Sequence, residues 1–485
     1  MNKNFIILSL IFLSISISIS CTHKPDLPST GGYPVAISNI ILTKCAVSGC
    51  HNNESSINAA GINLSTWTNL FNGGTLGATV IPYRPDFSNI CYFTNTDSTS
   101  GIMLQPTMPI ERAPLTKDEY NTLTSWIASG APNIDGIIRF TDSPSRKKLY
   151  VTNRMCNVVT VLDEKSFLQI RYINVGDGST ARYPYCVKVS PDKKNWYVSF
   201  FTQTTMIQKF DADNDNLVGN LNIGSGSWTS FTITSDSKYG YFVDNSYPGK
   251  IAYVDLTSMS LLATYTFGEN FKYPLGIALN DNLKKIYVGS TSGNFIYNID
   301  ITDPLSPHIH EMSIDGSNAV EYGSSINPVE LVAGTGNNYC FVACQGSNEI
   351  RVLDMQHDTI ASTISLAATP AYISYSTYSN QLFVTCPDDL VSFPGEHGAV
   401  IAIDVPTLTI NKKIDCGYQP FGISVDDDQK IVSVVNANIS GPASHHTSGC
   451  GKKIGYLTFI DYNTLEIIPG KIRDVAVFPF SIATR

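Results

Sequence analysis

The chain has 485 residues, a formal net charge of −9, and Tyr and Phe counts of 25 and 22 against a charged fraction of only 15%. With a pI near 5.4 it lacks the basic stripe that a phosphate backbone requires, so nucleic acid is excluded as an expected partner. The length suits two domains, one small and one of roughly 350 residues, each large enough for its own core.

Lys3, the apolar run from Phe5 to Ile19 and then Ser20-Cys21 have the layout of a secretory signal over residues 1–20. The run is too short for an ordinary membrane span. Ser18-Ile19-Ser20-Cys21 resembles a lipobox, although Ile17 stands one place further off than the usual leucine. Cys21 is therefore expected to carry a lipid anchor, with a plain signal peptide cut nearby as the alternative. Each buried acyl methylene contributes about 0.8 kcal/mol, so several chains on one cysteine anchor durably. Residues 21–32 form a polar tether with prolines and glycines, suited to holding a domain off a bacterial membrane in the cell envelope. The outer membrane, facing the periplasm or the cell surface, is the expected place.

Between 33 and 135 the spacing is helical. Tyr33, Ile37, Ile40 and Ile41 share a face and lead into Lys44-Cys45-Ala46-Val47-Ser48-Gly49-Cys50-His51. Covalent haem attachment uses C-x-x-C-H, in which both thiols bond the ring and the adjoining histidine is fixed beneath the iron. Here two more residues separate the cysteines, and Ser48-Gly49 can turn tightly enough to let them bulge. A local disulfide with a bystander histidine is the alternative. Met108, in Thr107-Met108-Pro109, offers a thioether on a non-helical loop, with Met103 nearby as a packing residue and Cys91 lining the pocket. Thr116 and Glu119 then have capping-box spacing ahead of a helix whose apolar face is Tyr120, Leu123, Trp126 and Ile127, ended by Gly130 and Pro132.

Gly61-Ile62-Asn63-Leu64 through Gly74, and Leu115 through Pro132, make this region similar to the cytochrome c domains with a lengthened C-x4-C-H found in bacterial lipoproteins. The resemblance implies a small all-α domain with one haem c on Cys45 and Cys50, and His51 and Met108 as axial ligands.

Beyond residue 136 strands replace helices and internal repetition sets the architecture. An aromatic residue followed by Val recurs at Tyr150-Val151, Tyr197-Val198, Phe242-Val243, Tyr287-Val288, Phe341-Val342 and Phe383-Val384, with Val432-Ser433-Val434 as the seventh copy. A second strand ends at Asp163, Asp211, Asp255, Asp300, Asp354, Asp404 and Asp461, each expected to cap the following turn. A third begins near Pro184, Phe231, Pro274, Pro328, Pro370, Pro420 and Pro479. The first repeat lacks this third strand and the C-terminus supplies it alone, so residues 136–485 predict a seven-bladed ring closed by its last strand. Tyr150-Val151-Thr152-Asn153 and its repeats resemble the YVTN-type β-propellers, a likeness that specifies fold and leaves activity open.

One face of that ring is expected to gather Cys156, Cys344, Cys386, His397, Cys416, His445, His446 and Cys450. Three readings stand side by side: a second metal or substrate site around His397, His445, His446 and Cys450, a staple such as Cys156 to Cys450, or surface histidines alone. Cys186 and Cys340 are expected to be buried in strands, and His308, His310 and His357 to face solvent. Cytochrome and propeller together resemble the nitrite reductases, but the blade number differs and their second-haem ligands have no match here. The expectation is a lipid-anchored electron-transfer protein whose propeller docks a redox partner or small-molecule substrate. The alternatives are an oxidoreductase centred on the propeller face and a non-redox lipoprotein that recognises glycan or protein.

Overall fold

The computed structural model describes residues 29–141, 143–178, 183–202, 204–334, 338–389, 391–393, 398–442, 444, 446–451 and 453–485. The expected signal, Cys21, most of the tether, His397 and His445 lie outside these residues.

Pro34 opens helix α1 (Val35–Ile40), its fixed φ suiting a helix start. The helix runs on as one π turn, Ile41–Cys45, closed by the Ala46 N–H on the Ile41 carbonyl at 2.8 Å. Two short helices follow, α2 (Trp67–Leu70) and α3 (Asn89–Thr94), and then α4 (Lys117–Ala128), whose Thr116–Glu119 capping box forms as its spacing predicts. Tyr33, Ile37, Ile41, Trp67, Leu70, Leu123 and Ile127 make one core. The indoles of Trp67 and Trp126 donate to the carbonyls of Ala131 and Pro132, both at 2.9 Å, and so tie down the chain where it leaves α4.

The rest is a seven-bladed ring, and its first blade shows how it closes. Strands Lys148–Asn153, Val158–Asp163 and Gln169–Asn174 are completed by Pro479–Thr484, with Leu149 opposite Thr484 and Val151 opposite Ile482. The valine of every repeat is fully buried. All seven repeat aspartates accept backbone N–H groups of the next turn at 2.7–2.9 Å, as their positions predict. Each links a strand end to its hairpin.

Inner strands Pro184–Val189, Trp228–Ile233, Pro274–Asn280, Pro328–Ala333, Ile373–Ser376, Pro420–Asp426 and Pro479–Thr484 surround the axis. That of the sixth blade, Ile373–Ser376, begins three residues after Pro370, later than the repeat suggests. Five are entered through a residue of positive φ just before proline, Tyr183, Tyr273, Asn327, Gln419 and Phe478. At Gly276 a Cβ would lie 2.6 Å from the Glu330 Cα of the next blade, so only glycine lets these inner strands approach. The outermost strand of the seventh blade is split into Glu466–Ile467 and Arg473–Asp474, which the repeat does not foretell.

A buried ion pair marks the seam between the first two blades. Lys148 Nζ lies 2.8 Å from Asp215, the side chains 4% and 5% exposed, and also donates to the Ala212 and Asp213 carbonyls at 3.0 and 3.1 Å. The Tyr150 hydroxyl donates to the same carboxylate. Lys285, Tyr287 and Asp358 repeat the arrangement between the fourth and fifth blades. Because an unpaired buried charge costs more than the pair contributes, Asp215→Ala should lower unfolding free energy by about 3–5 kcal/mol. The double variant Lys148→Met/Asp215→Leu should recover most of that in urea unfolding.

Candidate functional site

The π turn delivers Cys45 to the edge of the helical core, where burial pushes its thiol up to about 11. From there the chain folds back on itself. The Cys50 N–H donates to the Val47 carbonyl at 3.0 Å and the His51 N–H returns to the Cys45 carbonyl at 3.2 Å. Gly49, at φ 82° with nothing within 4 Å of a Cβ position, forms the outer tip. The two additional residues therefore loop outward while Cys45 and His51 stay hydrogen-bonded neighbours. Cys45 and Cys50 are free thiols, so the local disulfide does not form.

The His51 ring is held from the other side. Its Nδ1 lies 3.3 Å from the Ile62 carbonyl, and burial lowers its affinity for a second proton. A carbonyl can only accept, so Nδ1 carries the proton and Nε2 keeps its lone pair for an electrophile or metal. The Lys44 ammonium, 2.6 Å from Glu119, fastens this segment to the capping box of α4. Met108 sits on a separate non-helical stretch whose N–H donates to the Phe93 carbonyl at 2.7 Å. Ile57, Met103 and Ile110, 83%, 42% and 51% exposed, belong to the segments that follow His51 and flank Met108. Cys91 is buried in the core of the helical region.

The propeller residues have a different fate. Cys450 is bonded to Cys156 across 294 residues, with Cα atoms 5.7 Å apart, so it is not a thiolate ligand and the staple is the reading that holds. His446 Nδ1 is 2.9 Å from the Asp474 carboxylate, and its ring meets Phe93 edge-on at 5.9 Å. No group of three or more His, Cys, Asp or Glu side chains is placed for a metal among the described residues. Cys344, Cys386 and Cys416 are buried within blades rather than displayed on the face, as is Cys340. Cys186 instead lines the central cavity, and His308, His310 and His357 are exposed.

Around that disulfide the helical region docks on blades one and seven. Ile81 and Phe87 join Cys156, Val158, Tyr172 and Ala476 in one apolar cluster, and the Phe87 and Tyr172 rings stack at 4.1 Å. Arg84 donates to the Tyr172 carbonyl at 2.7 Å, and Arg473 donates to the Thr75 carbonyl at 2.9 Å. Gln169 spans the seam, accepting from the Ala78 N–H and donating to the Asp474 carbonyl. None of these contacts has a sequence signal, because the partners are separated by tens to hundreds of residues.

No family model and no curated protein matches the chain. Among solved structures, a functionally unknown protein from Desulfotomaculum acetoxidans is similar at 14% identity and a TM-score of 0.53, covering 70% of this chain and 99% of its own. The U3-55K structure aligns at 12% identity over 64% of this chain and 86% of its own, with a TM-score of 0.46. Hydrazine synthase of Kuenenia stuttgartiensis aligns at 13% over 63% of this chain and 100% of its own, with a TM-score of 0.42. At these identities the first likeness speaks for the fold alone.

Since the staple closes a loop of nearly the whole propeller, Cys450→Ser should reduce stability by about 2–5 kcal/mol in denaturant titrations. It should also speed proteolysis at the contact between the helical region and the propeller before global unfolding.

Proposed function

We propose that the chain is a c-type cytochrome carried on a β-propeller, a lipid-anchored electron-transfer protein of the bacterial cell envelope. The observation that carries this reading is His51. Its Nδ1 is committed to the Ile62 carbonyl, Nε2 is left basic, and two unbridged cysteines lie within the same folded-back loop. Cys45 and Cys50 would hold a haem through thioether bonds and His51 would ligate its iron, with Met108 as the proposed second ligand. A haem held so would supply one-electron chemistry, at the relatively high potential that histidine and methionine together favour.

The chain's own residues would do the positioning. The Ile62 carbonyl fixes the ring and tautomer of His51, and the Phe93 carbonyl holds the Met108 segment. Exposed Ile57, Met103 and Ile110 are candidates for apolar surface that a macrocycle would cover, at about 25 cal/mol per Å2 removed from water. The propeller, held against the helical region by the Phe87–Tyr172 stack and the cysteine staple, would dock the redox partner or small-molecule substrate. An oxidoreductase centre at His446 and Cys450 is disfavoured, because one is paired to Asp474 and the other is oxidised. Cys21 would hold the whole in the membrane through its lipid.

The test is to express the full chain with cytochrome c maturation machinery and record pyridine haemochrome spectra after acid-acetone extraction. One haem per chain should resist extraction. Cys45→Ala should reduce covalent attachment, and Met108→Ala should retain haem while changing the axial-ligand spectrum and lowering the reduction potential. A chain that takes up no haem leaves only a binding lipoprotein. Separately, Cys21→Ser should abolish fatty-acid incorporation and release the protein from membranes.

A further inference from the structure

The seven inner strands enclose an axial cavity of about 580 Å3 that plays no part in the haem reading. Its wall is asymmetric. Tyr372, Phe421, Phe480 and Tyr185, from blades six, seven, one and two, form a continuous aromatic sector. Phe480 is its hub, with ring centroids 4.5 Å from Tyr185, 5.2 Å from Phe421 and 5.5 Å from Tyr372. The Tyr185 and Tyr372 side chains are near enough for their hydroxyls to interact.

Beside that sector, blade five contributes Glu330, the one acid among the described lining residues, and blade two contributes Lys188, the one base, on the same strand as Tyr185. The two form no ion pair with each other, and the Glu330 carboxyl accepts no hydrogen bond from a described residue. Lys188 Nζ instead points at the Phe231 ring, 6.0 Å from its centroid.

Part of the same aromatic sector already holds a cation, from a residue that is not among those lining the cavity. The Arg154 guanidinium lies 4.6 Å from the Phe480 centroid, 4.8 Å from Tyr185, 4.9 Å from Phe201 and 5.1 Å from Phe478, and its buried Nε has no hydrogen-bond partner. Aromatic faces present negative potential to such a charge, an attraction that grows when water is excluded.

We propose that the axial cavity is a binding site for a small organic ammonium ion, its alkyl groups against Tyr185, Tyr372, Phe421 and Phe480 and its charge answered by Glu330. The volume lies within the range of small-molecule sites, and the lining is the usual one of apolar and aromatic walls with a few convergent polar groups. A carboxylate ligand could engage Lys188, but it would meet the negative ring faces and the Glu330 charge. The site does not depend on haem.

Titration adds a directional expectation. Burial pushes the Glu330 carboxyl up to about 7, with Lys188 pulling it back down. The other titratable groups near it are Tyr185, Cys186, Tyr372 and Cys340, none of which is charged near neutrality given that burial raises each of them. The carboxylate that attracts a cation is therefore present above this pKa and lost below it.

Calorimetric titration of the full chain with choline, with its neutral isostere 3,3-dimethyl-1-butanol and with acetate tests the site. Choline should bind at least ten-fold more tightly than the alcohol or acetate, tighten between pH 6 and 8, and weaken at least ten-fold in Glu330→Gln. Phe480→Leu should weaken it several-fold. Equal binding of choline and the alcohol, preference for acetate, no binding of choline at millimolar concentration, or unchanged affinity in a folded Glu330→Gln protein would each overturn the proposal. Should Glu330→Gln fail to fold, a flat pH profile in the unsubstituted protein does the same.

Discussion

Everything in the larger part of this molecule depends on one pairing made last in the chain, that of Pro479–Thr484 with Lys148–Asn153. Until it forms, the first blade has an open edge and no inner strand, and the ring has two ends. The contact joins residues more than 300 positions apart, so its loop entropy is large and it must be held by more than ladder hydrogen bonds. Two further groups supply that hold. The Thr152 hydroxyl accepts the Ser481 N–H at 3.0 Å, and the Arg485 guanidinium reaches past its own blade to the Ala212 carbonyl at 2.7 Å and the Asp213 carboxylate. The C-terminal residue thus bridges the first and second blades at the place where Lys148 and Asp215 meet.

Closure also builds the platform on which the helical region sits. Ala476, just before the closing strand, lies in the same cluster as Phe87 and Tyr172. Asp474, two residues earlier, donates its N–H to the Leu76 carbonyl, accepts from Gln169 and holds His446. A short path follows: Asp474 to the His446 ring, that ring to Phe93, and the Phe93 carbonyl to the Met108 amide. The segment that carries Met108 is therefore linked to the propeller through Phe93 and His446, in addition to the contacts around Phe87.

Local features were legible in the sequence and distant ones were not. The repeated valines are fully buried in every blade, so the recurrence of one short strand pattern was enough to locate each copy. Asp163 and its counterparts act within three residues, and the box of Thr116 and Glu119 likewise needs only its own turn. The loop from Cys45 to His51 was legible for the same reason, and so was the closing strand, because a repeat that ends without its beginning leaves a visible surplus. What stayed hidden depends on contacts across the ring. Asp215 looks like any hairpin aspartate until Lys148 is beside it, and His446 looks like a surface histidine until Asp474 and Phe93 enclose it. The aromatic sector could not be read either, since Tyr185, Tyr372, Phe421 and Phe480 come from four blades. Their one shared trait is a place at the start of an inner strand.

That trait ties the cavity to closure. Phe480 is the second residue of the closing strand and the hub of the aromatic sector, so the step that completes the ring also completes the wall. A ligand that touches Phe480 binds only the closed ring and must favour closure by its binding free energy, in the amount RT ln(1 + [L]/Kd). The reverse holds equally. Arg154, 4.6 Å from the Phe480 centroid and 4.8 Å from that of Tyr185, lends the same aromatic hub a cation within the chain, and its backbone N–H donates to the Phe478 carbonyl at 2.8 Å. Arginine and closing strand therefore stabilise the ring together whether or not the cavity is filled, so the fold does not depend on a ligand.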